Sequence, residues 1–578
     1  MRQIMHPLFC ILFACIPQFS AIASESKALE ALKLTQERFQ QLRLRAFGNE
    51  SYTDYSPAAF DERLEAQKSL LDKISAIDRS ELPHYGQVTY DMLRWDVDVA
   101  IERGRYQWLW FPYTPYSFTL GGPNTMLTNF RFESDGDVAE YLDLVGQYPA
   151  VLDSMSEHIS GQKLNGIYLQ RDVTKKVRQM IAGFEQAPEE SFVWPTADRL
   201  ESISVARIRK MQAALETLIA NHVNPAIRQL ADEFDERYQN RAPSRYGLTQ
   251  YPGGKEYYKV LVKYHLTVDK TPEELFRESE AALTAIESEL KSLRAEMDYF
   301  GDRATFDATL AADPKFKAKN PDDVERVYLD YMARMDPFLP ALFCRTAPYG
   351  YGVQRASPEQ EAALNFGYAD TQERPVKLGV YYYNGLSLDQ RSLLPAQALI
   401  YHEIAPGHYW HAAMRTYSRM QGQSGAFGEA WGDFGQVLAY EQGVFETAEE
   451  KYGRRIFNAM FHARALADVG INYFGYDFEW GRNILDRYTF ESDLENFGSL
   501  QRDTTDWQAQ ILPYSFGSQE LLRLREKIRF ALGDKFSEPR FYDAVLATGG
   551  VPFPVLEKHL DWFVEQELSG GAPGICEE

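Results

Sequence analysis

The chain has 578 residues, of which 45% are hydrophobic and 25% charged, and its formal net charge is −22 at pH 7. This length exceeds the usual size of one hydrophobic core, so we expect two or more subdomains. The strong negative charge argues against nucleic acids and anionic membranes as partners, and a need for solubility is sufficient to explain it.

The first 23 residues are typical of an export signal. A basic start and an apolar segment, 7–16, precede Ala21-Ile22-Ala23, which has the small residues of a cleavage site. We therefore expect residues 1–23 to be a signal peptide and the protein to be periplasmic or secreted. Lipid anchoring at Cys15 ranks second, because Phe13 is bulky for a lipoprotein site. No later segment approaches the ~20 apolar residues that a transmembrane helix needs.

Four cysteines are present, and two of them, Cys10 and Cys15, lie within the expected signal peptide. The remaining two, Cys344 and Cys576, are far apart in the chain. They can form one disulfide in an exported protein, but the sequence leaves this pairing open. No cysteine cluster indicates a metal site.

Helical periodicity dominates the first part of the mature chain. The predicted helices there are Lys27–Phe47, Ala58–Ile77, Tyr85–Arg105, Asp135–Ser160, Asp172–Glu185 and Arg199–Tyr238. Residues 241–254 are rich in turn formers. We therefore divide the mature chain into an N-terminal helical subdomain, 24–245, and a catalytic helical subdomain, 246–578.

The second subdomain begins with clear helix signals. Thr271 is a predicted cap, with Pro272 at the first helical position, for a helix that runs to about Met297. Helical patterns return after residue 441. The predicted helices there are Glu449–Tyr473, Phe478–Arg487, Ser492–Asp503, Ser518–Leu532, Pro539–Leu546 and Val551–Gln566.

Residues 377–385 give the clearest strand prediction, because β-branched and aromatic residues end there at the turn dipeptide Asn384-Gly385. If this strand lies at a sheet edge, its backbone can hydrogen-bond an extended peptide, and Tyr382 is then a candidate substrate-binding residue. The alternative is a purely structural strand in a small sheet.

Three of the ten histidines, His402, His408 and His411, lie close together, and Glu403 is among them. A histidine followed by glutamate and then by a second histidine is how zinc hydrolases place two ligands and a general base on one helix. The usual spacing between the histidines is four. A spacing of six in a straight helix separates the rings by roughly 9 Å along the axis and about 240° around it, which one ion cannot bridge.

Pro406 and Gly407 lie between the two histidines and change this expectation. Proline clashes with the carbonyl four residues earlier, and glycine tolerates unusual backbone angles, so we expect a kink or bulge that returns His408 to the face of His402. Two alternatives stay open. The helix can simply stop at Pro406 with histidines that only pack, or His408 can pair with His411, one helical turn away.

Glu429 is the candidate third ligand, on a predicted second helix that runs to about Glu441 and packs beside the first. A carboxylate from that helix completes a two-histidine, one-glutamate zinc set with an open position for water. Asp433 lies one turn further and is a candidate acceptor for the second ring N–H of a ligand histidine. A solvated helix face is the alternative for both acids, but the flanking Phe427 and Trp431 indicate burial.

At these residues the chain resembles a known family, the bacterial domain of unknown function 885 family of the gluzincin metallopeptidase clan. The resemblance extends over most of the mature chain. It is carried by His402-Glu403, Pro406-Gly407-His408 and Glu429-x-Trp431, and also by Tyr246-Gly247-Leu248, Pro252-Gly253-Gly254, Tyr257-Tyr258, His265, Thr271-Pro272-Glu273-Glu274, Arg464, Asp468, Gly470, Gln510, Tyr514, Gly517, Gly549 and Pro552.

The resemblance implies a mainly α fold, in which a large helical body is divided by a cleft and a small β element lies next to the active-site helix. Angiotensin-converting enzyme, thimet-type oligopeptidases and carboxypeptidase Taq are the related helical peptidases. In such enzymes a tyrosine commonly donates its hydroxyl to the oxyanion, which makes Tyr514 our candidate; Gln510 and Arg464 are candidate substrate-binding residues. A buried structural ion pair is the alternative role for Arg464.

These features predict a zinc metallopeptidase, a hydrolase that cleaves short peptides, of the carboxypeptidase or dipeptidyl carboxypeptidase type. Zn²⁺ held by His402, His408 and Glu429 lowers the pKa of its water to about 7, Glu403 accepts the proton, and Tyr514 stabilises the tetrahedral oxyanion. A zinc hydrolase of a non-peptide amide and a non-catalytic periplasmic binding protein are the alternatives. The sequence does not give residue specificity, exo or endo cleavage, or oligomeric state.

Overall fold

The computed structural model describes residues 27–47, 52–117, 119–357, 361, 367–370, 378–420 and 422–570. Within these ranges the protein is mainly helical and has one small three-stranded sheet, as the sequence predicts. Among the described residues no helix combines the length and apolar character that crossing a membrane requires. Cys344 is disulfide-bonded, whereas Cys576 and the predicted signal peptide, 1–23, lie outside the described ranges.

The first half of the chain forms a series of helices close to the predicted ones. They are α1 (Lys27–Phe47), α2 (Pro57–Ser75), α3 (His84–Gly104), α4 (Gly121–Thr128), α5 (Asp137–Leu164), α6 (Arg171–Ala182), α7 (Val205–Leu218), α8 (Asn224–Asp232), α9 (Glu236–Arg241), α10 (Gly254–Leu266), α11 (Pro272–Glu296), α12 (Arg303–Ala312), α13 (Pro321–Met335) and α14 (Leu339–Leu342).

The predicted helix Arg199–Tyr238 is wrong as a single element. Residues 197–200 form a 3-10 turn, and then α7, a π-helical segment at Ile219–Val223, α8 and α9 follow in sequence. Pro225 lies in the first turn of α8 and has no N–H to donate to the preceding turn. This missing hydrogen bond accounts for the wider π-helical turn at Ile219–Val223. Asp235 then caps α9 by accepting the N–H of Tyr238.

The predicted start of α11 is confirmed in detail. Thr271 accepts the N–H of Glu274, the Glu274 side chain bonds back to the Thr271 backbone, and Pro272 occupies the first turn. Helix α11 then packs along a later helix, Ala448–Val469, so this capping box fixes the start of one wall of the second half.

The sheet contains β1 (Gly350–Arg355), β2 (Gly367–Asp370) and β3 (Leu378–Tyr383) in the order β1-β3-β2. The prediction that the strand within 377–385 lies at a sheet edge is therefore wrong. Strand β3 pairs with β1 in parallel and with β2 antiparallel, so both of its hydrogen-bonding edges are occupied and cannot bind a peptide. The strand itself lies where the pattern of β-branched and aromatic residues predicts it.

The rest of the chain returns to helix. The elements are α15 (Ala396–Glu403), α16 (His408–Met414), α17 (Gly425–Glu441), α18 (Ala448–Val469), α19 (Phe478–Tyr488), α20 (Asp493–Thr505), α21 (Ser518–Leu532), α22 (Glu538–Leu546) and α23 (Phe553–Ser569), with π-helical segments at Gly470–Phe474 and Pro513–Gly517. These bounds lie close to the predicted helices.

One large apolar core includes buried residues from Tyr55 to Phe563 and surrounds α15, α16 and α17. Smaller clusters hold α1 to α3 together and join α11 and α12 to α18. The predicted division at residue 245/246 stays a prediction. The candidate site residues of α15 to α17 are thus embedded in the best packed part of the molecule.

A pair of imidazoles joins the two ends of the described chain. Nε2 of His84 on α3 lies 2.8 Å from Nδ1 of His559 on α23, and the other ring nitrogen of His559 bonds the carbonyl of Ala544 at 3.0 Å. That carbonyl can only accept, so His559 carries its proton on Nε2 and His84 donates to it. Trp562 stacks on His84 with ring centroids 3.7 Å apart.

This histidine pair predicts an acid-sensitive fold. Burial lowers the pKa of both imidazoles to about 4, from 6.5. The unfolded chain therefore binds protons below pH 6.5 while the folded pair stays neutral, so the stabilisation is fully present above pH 6.5 and is lost as the pH falls towards 4. The free energy of unfolding, measured by chemical denaturation across this range, should depend less steeply on pH for His559→Gln than for the unsubstituted protein. His222→Gln, which changes an exposed histidine, is the matched control and should keep the original slope.

Candidate metal centre

The histidine motif is split between two helices. Helix α15 ends at Glu403, the chain turns through Ile404–Gly407, and α16 begins at His408. The predicted kink or bulge within one helix is therefore a complete break. A Cβ on Gly407 would lie 1.9 Å from the carbonyl oxygen of His402, so only glycine lets the chain fold back this tightly.

Helix α17 holds this turn from the other side. The indole N–H of Trp431 donates to the carbonyl of Pro406 at 2.8 Å. At Gly435 an added Cβ would lie 2.8 Å from the Tyr401 carbonyl and 2.9 Å from Cα of Gly407. The close approach of α17 to the turn therefore depends on this glycine and on the buried tryptophan.

The turn and α17 bring His402, His408 and Glu429 to one place. Nε2 of His408 lies 3.2 Å from Oε2 of Glu429, and Nε2 of His402 lies 3.9 Å from the same oxygen. All three ligand atoms lie within 4.8 Å of one another. Ligands about 2 Å from a tetrahedral zinc ion are separated by roughly 3.3 Å, so these side chains fit such an ion with small adjustments.

The orientation of the donors supports the same interpretation. Oε2 of Glu429 is buried and makes no hydrogen bond within the described part of the chain, although the imidazole of His408 is close. The two rings are nearly perpendicular, at 83°, with centroids 4.6 Å apart. The two rings thus approach Oε2 of Glu429 in different planes.

Gly432 provides the space for both rings. A Cβ at this position would lie 3.0 Å from Cε1 of His402 and 2.9 Å from Cε1 of His408. It lies on α17 three residues after Glu429, so it faces the same side as the ligand carboxylate. Gly432 was not predicted as a site residue from the sequence. Its spacing of three residues from Glu429, which places both on one helix face, was the sign that could have identified it.

The contacts behind the ligands differ from those predicted. His408 donates its second ring N–H to the backbone carbonyl of Gly428, which fixes its tautomer. Nδ1 of His402 is buried without a hydrogen-bond partner among the described residues. Asp433 accepts hydrogen bonds from Gln436 and Ser518 instead of from a ligand histidine. It braces α17 against α21.

The charges of the site are strongly coupled. Burial drives the pKa of His402 well below its ordinary value. Burial also lowers the pKa of His408, but the Glu429 carboxylate outweighs this and raises it to about 9. Without a cation, one proton on His408 therefore balances Glu429. A divalent ion replaces that proton, so metal binding releases it.

Glu403 lies beside this cluster at the end of α15. Burial raises the pKa of its carboxyl to about 7; the positive charge of His408 opposes this rise, and Glu429 adds to it. The backbone N–H of Ala369, on strand β2, donates to the carboxylate. The phenol of Tyr381 on β3 is fully buried, and both this burial and the nearby Glu403 charge raise its pKa. Contacts of the sheet with Glu403 were not predicted.

Tyr514 and Gln510 lie on the same side of the site. The ring of Tyr514 is parallel to that of His402, with centroids 5.7 Å apart. Burial raises the pKa of its phenol, and so does the charge of Glu429. Gln510 donates to its hydroxyl at 3.5 Å. The π-helical segment thus places a protonated phenol next to the metal ligands.

Three other predicted site residues lie in different surroundings. Arg464 forms a buried bidentate pair with Asp503, with both N–O distances 3.0 Å, which is the alternative role considered for it. The ring of His411 bonds the carbonyl of Gly549 at 3.1 Å and does not join the ligand cluster. Tyr382 stacks on Tyr368, on the sheet face opposite Tyr381.

A cavity of about 500 Å³ opens at Glu429. One wall is formed by residues 423–426 and by Gln510 and Pro513, next to the metal ligands. The other walls come from α1, α2, α3 and α10 in the first half of the chain. The protein is thus mainly helical, and the glutamate of its two-histidine, one-glutamate cluster lines this cavity.

The comparisons with known proteins place the chain in a family. Residues 40–560 match the family described as bacterial protein of unknown function, DUF885, and the chain belongs to this family. No curated protein matches the sequence.

Two solved structures share the fold. A protein from Colwellia psychrerythraea, described as a candidate lipoprotein, superimposes with a TM-score of 0.80 at 18% identity, covering 93% of this chain and 98% of its own. A candidate lipoprotein of unknown function from Shewanella oneidensis gives a TM-score of 0.71 at 16% identity and covers 92% and 99%. At these identities the likeness concerns the fold alone.

The packing at Gly432 gives a test of the centre. Gly432→Ala should weaken zinc affinity about 10- to 100-fold, because its Cβ pushes both imidazoles away from their shared point. Gly498→Ala on α20 is the matched control, since a Cβ there meets no atom within 4 Å. Zinc affinity would be measured by competition with a chromogenic chelator. Equal affinities in the two variants would contradict this account of the site.

Proposed function

We propose that this protein is an exported zinc-dependent metallopeptidase that hydrolyses short peptides, of the carboxypeptidase or dipeptidyl carboxypeptidase type. One observation carries the proposal: the ligand atoms of His402, His408 and Glu429 lie within 4.8 Å of one another, Glu429 lines a cavity, and Glu403 lies beside the cluster. A structural zinc site is usually closed by four protein ligands, whereas three ligands facing a cavity are typical of a catalytic site.

Zinc is the cofactor that suits these donors. Two imidazoles and one carboxylate are a common catalytic zinc set, and Oε2 of Glu429 is buried without a hydrogen-bond partner among the described residues. When bound, the ion supplies Lewis acidity that activates water and polarises a carbonyl.

Glu403 is the proposed general base. Its buried carboxyl has a pKa raised to about 7, so near neutral pH a substantial fraction can accept a proton. The N–H of Ala369 fixes the direction of the carboxylate. Because Glu403 directly follows a ligand in the chain, the base is held close to the reacting water. It can then pass the proton to the departing amine.

Tyr514 is the proposed donor to the oxyanion. Burial and the charge of Glu429 keep its phenol protonated, so the hydroxyl remains a donor throughout the neutral range. Stacking against His402 limits its movement, and Gln510 contacts its hydroxyl. A donor fixed before the reaction stabilises developing charge without reorganisation.

The size of the cavity supports short peptides as substrates. A volume of about 500 Å³ accommodates a few residues, which is within the range of small-ligand sites. Helices from both halves of the chain enclose it, and a folded protein cannot enter a space of this size.

Export is proposed on two grounds. The segment 1–23, outside the described residues, has the composition of a signal peptide. Two solved structures that share this fold are described as candidate lipoproteins. Signal cleavage after residue 23 is preferred over anchoring at Cys15.

The proposal predicts that Glu403→Gln keeps its zinc and loses turnover. The amide cannot accept the proton of water, so kcat should fall about 10²- to 10⁴-fold. Zinc content would be measured by mass spectrometry of the metal, and turnover by digestion of a library of short peptides. A non-catalytic binding protein would show no cleavage in either form. A hydrolase of non-peptide amides would hold zinc and leave every peptide intact.

Tyr514→Phe provides a separate test of the oxyanion donor. Loss of one preorganised donor should lower kcat about 10²-fold while zinc content and KM change little. The ring, and thus its contact with His402, is retained in phenylalanine. An unchanged kcat would exclude Tyr514 from the reaction.

A further inference from the structure

Two guanidinium groups line the same cavity as Glu429. Arg103 lies near the end of α3 and Arg63 lies on α2, and both line the space that opens at the metal ligands. Neither residue was singled out by its sequence context. Their surroundings indicate what the cavity binds.

Arg103 has only neutral partners. Its guanidinium carbon lies 3.9 Å from the ring centre of Tyr264, and it hydrogen-bonds the hydroxyls of Tyr257 and Tyr264. Its Nε is buried and lacks a hydrogen-bond partner among the described residues. No described carboxylate forms an ion pair with it. A partly buried positive charge without a counter-ion is costly, unless a ligand supplies the negative charge.

The other charged groups of the cavity do not neutralise Arg103. Arg63 lies over the ring of Phe60 at 4.3 Å and donates to the backbone carbonyl of Asp54 at 2.7 Å. His265 is uncharged at neutral pH, because burial and the nearby Arg103 lower its pKa to about 3. Asp96 also lines the cavity and makes an interaction of its own.

Aromatic rings line the same cavity as these two cations. The rings that line the cavity are Tyr55, Phe60, Trp95, Tyr106, Trp110, Tyr257 and Tyr264. An apolar surface of this kind favours a ligand with aromatic or large aliphatic side chains. It also strengthens the attraction between a guanidinium and an anion by lowering the local dielectric.

We infer that Arg103, assisted by Arg63, binds a carboxylate of the substrate on the side of the cavity remote from the metal. The substrate class is then a short peptide with an apolar residue in the aromatic space and a negative charge beyond it. The carboxylate is either the C-terminal group of the peptide or an acidic side chain. This inference rests on the proposed function and specifies its substrate.

Three blocked dipeptides distinguish the sources of the charge. They are N-acetyl-Ala-Phe, its C-terminal amide, and the amide of N-acetyl-Ala-Glu. Binding would be measured by calorimetry on the zinc-loaded full chain carrying Glu403→Gln, so that no ligand is consumed. We expect at least one carboxylate ligand to bind about 10- to 100-fold more tightly than the neutral amide, as a charge-assisted bidentate contact implies. The ligand that gains this affinity identifies the source.

When Arg103→Gln is added to the chain that carries Glu403→Gln, the acid should bind no more tightly than the amide. The affinity for the amide should not change. Arg94→Gln is the matched control on the same helix, since Arg94 is exposed and pairs with Asp98 at 3.9 Å. Melting temperatures would show that each variant folds. If Arg103→Gln does not fold, two other measurements test the inference. They are the affinities of the acid and the amide for the parent chain, and the same affinities for Arg63→Gln.

Equal binding of acids and amide to the parent chain, no binding of any probe, or unchanged discrimination in folded Arg103→Gln would overturn the inference. Failure of the proposed function has a different result. In that case the chain with its natural Glu403 cleaves no peptide. The parent chain still binds carboxylates more tightly than the amide, and Arg103→Gln still abolishes this preference.

Discussion

Close packing between α17 and the interrupted pair α15 and α16 is the constraint on which the candidate site depends. Glycine at position 432 leaves room for both imidazoles, and glycine at 435 lets the backbone of α17 approach the Ile404–Gly407 turn. Trp431, which directly precedes Gly432, donates its indole N–H to the carbonyl of Pro406 in this turn. Dense interiors resist small changes of volume, so this contact fixes the distance between the two histidines and Glu429.

The groups around the ligands are those that the proposed hydrolysis requires. Sheet strand β2 directs the N–H of Ala369 at Glu403, and the π-helical segment brings Tyr514 against His402. Burial maintains both groups in useful protonation states, because it raises the pKa of the carboxyl towards neutrality and keeps the phenol protonated. The cavity then joins these residues to α2 and α3, so residues distant in sequence share one binding space.

Local patterns in the sequence predicted much of the fold and part of the site. Helix periodicity located most helices within a few residues, and the capping box at Thr271 was predicted to the residue. The motif around His402 together with Glu429 identified the residues that the structure brings together. These features depend on short-range chemistry, in which the residue types themselves carry the information.

The features that were missed depend on contacts between distant segments. The central position of β3 is set by pairing with strands whose pattern is weak in the sequence. Asp433 was expected to support a ligand histidine, yet packing of α17 on α21 directs it to Ser518 and Gln436. The role of Arg103 depends on the neutral tyrosines around it, and nothing in its neighbours along the chain reveals that environment.

The most direct test is anomalous diffraction at the zinc edge from crystals of the full chain grown with one equivalent of zinc. The account predicts a single strong peak about 2 Å from Nε2 of His402, Nε2 of His408 and a carboxylate oxygen of Glu429. A peak bound by other residues, or no peak between these three side chains, would contradict it.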